Sequence, residues 1–441
     1  MIHMALRLRV CLAVCGVFAT VFPAPGHAQT APNTLCLPTG TVAAWRSNAP
    51  PIVSPEISSD MKVTLRLCAP DARSVRVFGD WNQNSADGNA LSRDDQGVWS
   101  ISVGPVKPEF YQYYFTVDGV KTIDPANVHS GNDAVRITSY FIVPGGVSDT
   151  ALYESRNVPH GDVIAVWYPS KMISSPRRAL IYTPPDYRVS NRRYPVLYLF
   201  HGWGGDENEW LDLGRIAQIM DNMISAGRVT PMIVVMPNGH PDRQSIPDIT
   251  PPSSIAVLGP LPPKGYDSSD NVSQIEKSII GELVPYVDQN FRTREEALSR
   301  AIAGLSMGGA QASYTGLRHP NEFAWVASFS GAIIMWPGVA GSAPAYRAGT
   351  SSTAPAIPRY EVNLDAISQD IPGLNESINA RLKLLYITCG MDDGLIRANQ
   401  QLRGWLVDHN IKATYKEVPG YAHVWSFWRR SLIDLAPMLF R

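Results

Sequence analysis

The chain has 441 residues, 45% hydrophobic and 17% charged, with 38 basic against 39 acidic side chains and a formal net charge of -1. So large an apolar share excludes a disordered protein, and the balanced charge, with no long basic run, excludes an electrostatically driven nucleic-acid binder. The length suggests two or three domains of roughly 100–200 residues each.

Arg7 and Arg9 precede a short apolar run from Val10 to Phe22, and Gly26-His27-Ala28 offers small residues for cleavage. This is the pattern of a secretory signal peptide over residues 1–28, cut near Ala28, and it predicts a secreted or periplasmic protein. The run is shorter than the ~20 residues that span a bilayer, and Pro23 and Pro25 would break a helix there. No later segment reaches that length, so no membrane span is expected. Cys11 and Cys15 fall inside this segment. Cys36 and Cys68 could pair in an oxidising compartment, tying the extension 29–60 to the first domain. Cys389 closes an apolar run and reads as a buried small hydrophobe. No CxxC or His-rich spacing exists, so neither a metal nor a cofactor is expected.

From 61 to 143 short alternating segments are broken by turn residues. Val63–Leu67, Val75–Phe78, Val98–Val103 and Tyr111–Val117 are separated by Ala69-Pro70-Asp71, Asp87-Gly88-Asn89 and Asp118-Gly119. Period-2 alternation at this spacing predicts a small antiparallel β-sandwich. Residues 144–161, with Gly145-Gly146 and Pro159, read as a linker.

From 162 to 441 the pattern changes. Pro195–Phe200, Met232–Met236 and Leu384–Ile387 are continuous apolar runs, as expected of strands covered on both faces. Between Gln274 and Gln289 an apolar stripe marks a helix, with a kink expected at Pro285. Alternating strands and helices predict a mostly parallel sheet with helices on both faces. The aperiodic stretch from His240 to Ser269 is too long for an ordinary connection and reads as a loop over the active face.

Gly304-Leu305-Ser306-Met307-Gly308-Gly309 is a G-x-S-x-G following apolar Ala301-Ile302-Ala303 and preceding a helical pattern. A strand–turn–helix of this kind exposes a serine hydroxyl, making Ser306 the candidate nucleophile. A bare hydroxyl needs a base and an orienting acid, in the order Ser, acid, His. His423, in a Gly-containing loop after Ala413–Val418, is the candidate base; His409 reads as a solvated helix end. The acid comes from Cys389-Gly390-Met391-Asp392-Asp393, with Asp393 preferred on loop spacing and Asp392 as the alternative. An oxyanion would be met by the backbone N–H of Met307 and by that of Trp203 in His201-Gly202-Trp203-Gly204-Gly205.

From about Asp162 onward the chain resembles carbohydrate esterase family 1, which holds feruloyl esterases, acetyl-xylan esterases and esterase D-like enzymes. The matching residues are Tyr194–Tyr198, His201–Gly205 with Glu207 and Trp210, Gly304–Gly309, Cys389–Asp393, and His423 with Trp425, Trp428 and Arg429. The resemblance implies an α/β-hydrolase fold and assigns nucleophile, acid and base to Ser306, Asp393 and His423. The N-terminal segment is similar to the family 48 carbohydrate-binding module, through Phe78–Asn82, Gly97–Ser100, Tyr113–Phe115, Val117–Gly119 and Asp124-Pro125. Trp81 and Trp99 would either stack on sugar rings or pack the sandwich core.

Together these resemblances imply a secreted serine esterase that removes feruloyl groups from hemicellulose, with plant cell-wall polysaccharide or its feruloylated oligosaccharides as partner. Trp425 and the His240–Ser269 loop are expected to shape the acyl pocket. Alternatives are an acetyl-xylan esterase, a siderophore esterase of the enterochelin type, acyl transfer to a sugar, and a catalytically inactive carbohydrate-binding protein.

Overall fold

The computed structural model describes residues 36–37, 51–82, 87–133, 136–145, 149–173, 175–241, 268–339 and 362–441. The expected signal segment 1–28 and the centre of the loop after His240 lie outside the described residues.

The N-terminal alternation builds two antiparallel sheets. One runs β1 (Glu56–Ile57), β2 (Val63–Cys68), β6 (Val98–Val103) and β5 (Ser92–Arg93). The other runs β4 (Asn89–Ala90), β3 (Val75–Gly79), β7 (Glu109–Val117), β10 (Arg136–Val143) and β9 (Ser130–Asp133), with β8 (Val120–Thr122) paired to the end of β7. Asp118 and Gly119 turn β7 into β8 with φ of 48° and 87°, the positive dihedrals that match a two-residue hairpin to strand twist. Val63, Leu65, Val77 and Phe115 are fully buried between the sheets.

The two tryptophans weighed for sugar contact serve this interior. Trp99 is 8% exposed and donates from Nε1 to the Ala69 carbonyl at 2.8 Å. Trp81 is partly buried against Tyr111, Tyr113 and Phe141. Cys36 and Cys68 form a disulfide with a Cα–Cα distance of 5.8 Å, and the Cys36 amide donates to Gln96 at 2.7 Å. Part of the extension is thereby fastened to the sandwich.

Part of the stretch expected as a linker is packed. Thr150, Leu152 and Tyr153 are 2%, 8% and 1% exposed, and Asn222 Nδ2 donates to the carbonyls of Leu152 and Glu154 at 3.0 Å. Leu152, Tyr153 and Phe110 of β7 belong to the same apolar cluster as the second domain.

That domain holds eight strands in the order β11 (Asp162–Ser170), β12 (Ser175–Thr183), β14 (Ile233–Pro237), β13 (Val196–Phe200), β15 (Arg300–Leu305), β16 (Trp325–Phe329), β17 (Leu384–Gly390) and β18 (Thr414–Val418). The β11–β12 and β12–β14 pairs are antiparallel, and the other neighbours are parallel. Every residue of β13, β14, β15 and β16 is buried, because helices cover both faces over two apolar clusters. The parallel strands present their carboxyl ends along one edge, where open α/β sheets bind ligands.

The helix predicted around Gln274–Gln289 spans Ser268–Ser278, a π turn at Ile279–Leu283, and Val284–Asn290. Pro285 lacks the N–H that would reach back one turn, and the widened turn just before it absorbs the mismatch.

Candidate active site

β15 ends at Leu305, and the chain turns through Ser306 directly into the helix Met307–Arg318. Ser306 sits at φ 51° and ψ -116°, a sparsely populated conformation that persists only where its surroundings enforce it. Its amide donates to Phe329 at 2.9 Å, and its carbonyl accepts from the amides of Ala310 and Ala332 at 3.1 and 2.9 Å. The flanking glycines let helix and strand close on each other. A Cβ on Gly304 would stand 2.3 Å from the Gly308 carbonyl oxygen, and one on Gly308 would stand 2.4 Å from that of His201.

Three chain segments then converge. Ser306 Oγ lies 2.9 Å from His423 Nε2, and His423 Nδ1 lies 2.8 Å from Asp393 Oδ2. With Asp393 accepting at Nδ1, the imidazole carries its proton there and leaves Nε2 as the acceptor for the serine hydroxyl. Asp393 is 1% exposed, and its Oδ1 accepts the Leu395 amide at 2.8 Å. Burial alone would raise its pKa, but the facing His423, by charge and by hydrogen bond, and the Leu395 amide outweigh that and hold the carboxyl below its ordinary value. Asp392 is exposed, and its amide donates to the Tyr421 carbonyl at 3.0 Å. The side chain that faces the histidine is therefore that of Asp393. His409 is held at its own helix end, Nδ1 at 2.8 Å from the Trp405 carbonyl and its ring stacked on that tryptophan.

The loop His201–Gly205 follows β13 and lies against Ser306: a Cβ on Gly202 would stand 3.6 Å from Ser306 Cβ. Met307 follows Ser306 at the start of its helix, and Trp203 stands in this loop, edge-on to His240 at 5.2 Å. His201 is buried, with Nε2 accepting the Gly239 amide and Nδ1 on the Gly202 carbonyl, both at 2.8 Å. These contacts give it a positioning role.

Sequence reasoning missed the polar frame behind this loop. Arg178 Nη1 donates to Glu207 Oε1 at 3.0 Å, and Asn238 Nδ2 donates to Glu207 Oε2 at 2.9 Å. The His240 amide donates to Asn238 Oδ1 at 2.9 Å, and His240 Nε2 accepts the Gly204 amide at 3.1 Å. Buried Arg177 donates to the carbonyls of His240 and Asn238 at 2.7 and 2.6 Å. Gln311, on the helix Met307–Arg318, donates to the Gly239 carbonyl at 2.7 Å. Burial raises the Glu207 pKa, and its two donors satisfy the carboxyl that burial penalises. Pro237-Asn238-Gly239-His240, at the end of an apolar strand, was the available local sign.

Trp425, expected to help shape the acyl pocket, lies in an aromatic cluster beside the histidine. It is 5% exposed and packs edge-on against Trp210 and Trp428, each at 5.3 Å. It supports Trp428, whose ring stands edge-on to His423 at 4.9 Å.

Residues 170–439 match the Esterase family. The chain belongs to that family. Residues 53–130 match carbohydrate-binding module 48, the isoamylase N-terminal domain. An endo-1,4-beta-xylanase/feruloyl esterase of Xylanibacter ruminicola is 33% identical over 293 residues, covering 65% of this chain and 37% of that protein. An acetyl esterase of Caldicellulosiruptor saccharolyticus is 24% identical over 289 residues, covering 62% of this chain and 96% of that protein. The chain thus spans well under half of the first of these relatives. The enterobactin esterase of Shigella flexneri, solved in the presence of enterobactin, superposes with a TM-score of 0.60 at 17% identity, covering 91% of this chain and 98% of that one. This likeness shows a shared fold across sandwich and hydrolase together. Among the described residues no helix is long and apolar enough to cross a membrane.

Proposed function

We propose that this protein is an exported serine esterase that removes hydroxycinnamoyl groups from hemicellulose. Ser306 Oγ attacks the ester carbonyl while its proton passes to His423 Nε2, and the resulting oxyanion is received by the amides of Met307 and Trp203. Collapse of that intermediate expels the sugar hydroxyl, which takes the proton from His423 and leaves the acyl group on Ser306. A water then attacks the acyl-enzyme, His423 takes its proton, and the acid leaves with Ser306 restored. Asp393 keeps Nδ1 protonated and balances the imidazolium in both halves.

The observation that carries this is the continuous relay Ser306–His423–Asp393, at 2.9 and 2.8 Å, beside a loop framed for backbone donors. The xylanase/feruloyl esterase relative and the module-48 match support a carbohydrate ester as substrate. The Cys36–Cys68 disulfide supports an oxidising compartment. A second reading, a catecholate siderophore esterase, is favoured by the two-domain fold shared with the enterobactin esterase.

The test compares kcat/KM on methyl ferulate, acetylated xylan, a short aryl acetate and a 2,3-dihydroxybenzoyl-serine ester. Preference for the ferulate is expected. A higher kcat/KM on acetylated xylan or on the catecholate ester replaces the hydroxycinnamoyl assignment with that substrate.

A further inference from the structure

Arg429 lies six residues beyond the histidine, on the helix Trp425–Leu435, and is 1% exposed. Its partners come from three other stretches of chain. Nη1 donates to the Leu213 carbonyl at 2.7 Å, just after the short helix Glu209–Asp212 that follows the His201–Gly205 loop. Nη2 donates to Glu109 Oε1 at 3.1 Å and to the Phe110 carbonyl at 3.2 Å, both on β7 of the sandwich. The guanidinium lies 4.7 Å over the Phe110 ring and 5.1 Å over that of Tyr153 in the packed connection.

A guanidinium this deeply buried needs its charge met and most of its donors paired; Nη1 and Nη2 of Arg429 are paired, while Nε has no partner among the described residues. Among the described residues the carboxylate that meets the guanidinium is that of Glu109, and this carboxylate and one of the two carbonyls belong to the sandwich. Without the docked sandwich the helix behind His423 would hold an uncompensated charge next to Trp425 and Trp428. Further contacts hold the same junction. Arg215 Nε donates to the Tyr153 carbonyl at 3.1 Å. A Cβ on Gly131 of β9 would lie 3.6 Å from Asp212 Cβ.

We propose that the β-sandwich acts as a positioning element of the catalytic centre, through the Arg429 junction, and is not a module tethered only to hold sugar. Docking of β7 seats the His423 helix and the segment after the oxyanion loop together. Arg429 is a positioning residue in this scheme, and the scheme rests on the serine-esterase reading above.

The experiment uses the full chain and a short aryl acetate, too small to engage a separate sugar site. Arg429→Met, Glu109→Gln and the double variant are compared by kcat, KM, near-UV circular dichroism and the rate at which an aryl fluorophosphonate labels Ser306. Arg429→Met is expected to lower kcat and labelling about tenfold or more with KM within about twofold. Glu109→Gln, a change confined to the sandwich, is expected to lower both about threefold, and the double variant to fall no further than Arg429→Met. Val128→Ser, on an exposed sandwich position, is expected to change nothing.

Folded variants that label Ser306 at the wild-type rate overturn the proposal, as do losses confined to KM or fully additive in the double variant. Should Arg429→Met not fold, Glu109→Gln decides alone, and unchanged kcat and labelling in it overturn the proposal. A wild-type chain that does not label overturns the serine-esterase reading beneath it.

Discussion

Two carboxyl groups, one in each domain, are almost equally hidden from water and behave in opposite ways. Asp124 in the sandwich is fully buried and is met by neutral donors: Ser54 Oγ at 2.5 Å, the Tyr113 hydroxyl at 2.7 Å and the Ala126 amide at 2.8 Å. Burial dominates there and its pKa is raised. Asp393 in the hydrolase is 1% exposed, yet its pKa is lowered, because an imidazole faces it. Burial sets the stakes, and the partner's capacity to carry charge decides the sign. The first arrangement staples β7 to the chain before β2, and the second holds a carboxyl group against the imidazole of His423.

The contrast is open to direct attack, beginning at the catalytic end. Ser306→Ala should lower kcat on the aryl acetate by ~10³–10⁶, because the members of such a relay act as one unit. Asp393→Asn should cost ~10⁴ by favouring the wrong imidazole tautomer, while Asp392→Asn leaves kcat unchanged. Equal losses in the two aspartate variants would break the assignment of Asp393. In the sandwich, Tyr113→Phe should lower unfolding stability by about 1–3 kcal/mol in denaturant melts, since a buried acceptor loses its donor, with kcat unaltered.

The smallest effects are in pH dependence, and the two aspartates should give opposite signs. The raised Asp124 contributes stability that is present below its unfolded value and lost as pH rises through its folded one. The lowered Asp393 contributes stability that is present above its unfolded value and lost as pH falls through its folded one. Unfolding measured across roughly pH 4, the ordinary carboxylate value, should therefore show Asp124→Asn gaining on the wild type as pH rises. Asp393→Asn should gain on the wild type as pH falls. Parallel curves would show that neither group titrates differently in the folded chain.

Much of the architecture was legible because it rests on local pattern. Period-2 alternation marked β2, β3, β6 and β7 of the sandwich, and uninterrupted apolar runs marked β13, β14 and β17. β11 and β12 went unread as strands. β11 is an edge strand whose outward residues include half-exposed Trp167, so it lacks the apolar run of a covered strand. The Pro285 distortion was expected, but its form as a π turn depends on how the rest of that helix is packed.

The same division runs through the site. Sequence alone determined that Ser306 stands on a strand–turn–helix bend and that His423 follows in a glycine-containing loop, because both depend on neighbours along the chain. The choice between Asp392 and Asp393 needed the direction in which one backbone turn aims its side chains. Trp425 turned inward although it adjoins the histidine. Glu207 meets Arg178 across 29 residues and Asn238 across 31, and Arg429 meets Glu109 across 320. Only the tertiary structure decided these contacts, because partners for buried polar groups are chosen by which segments pack together, and no local spacing encodes that.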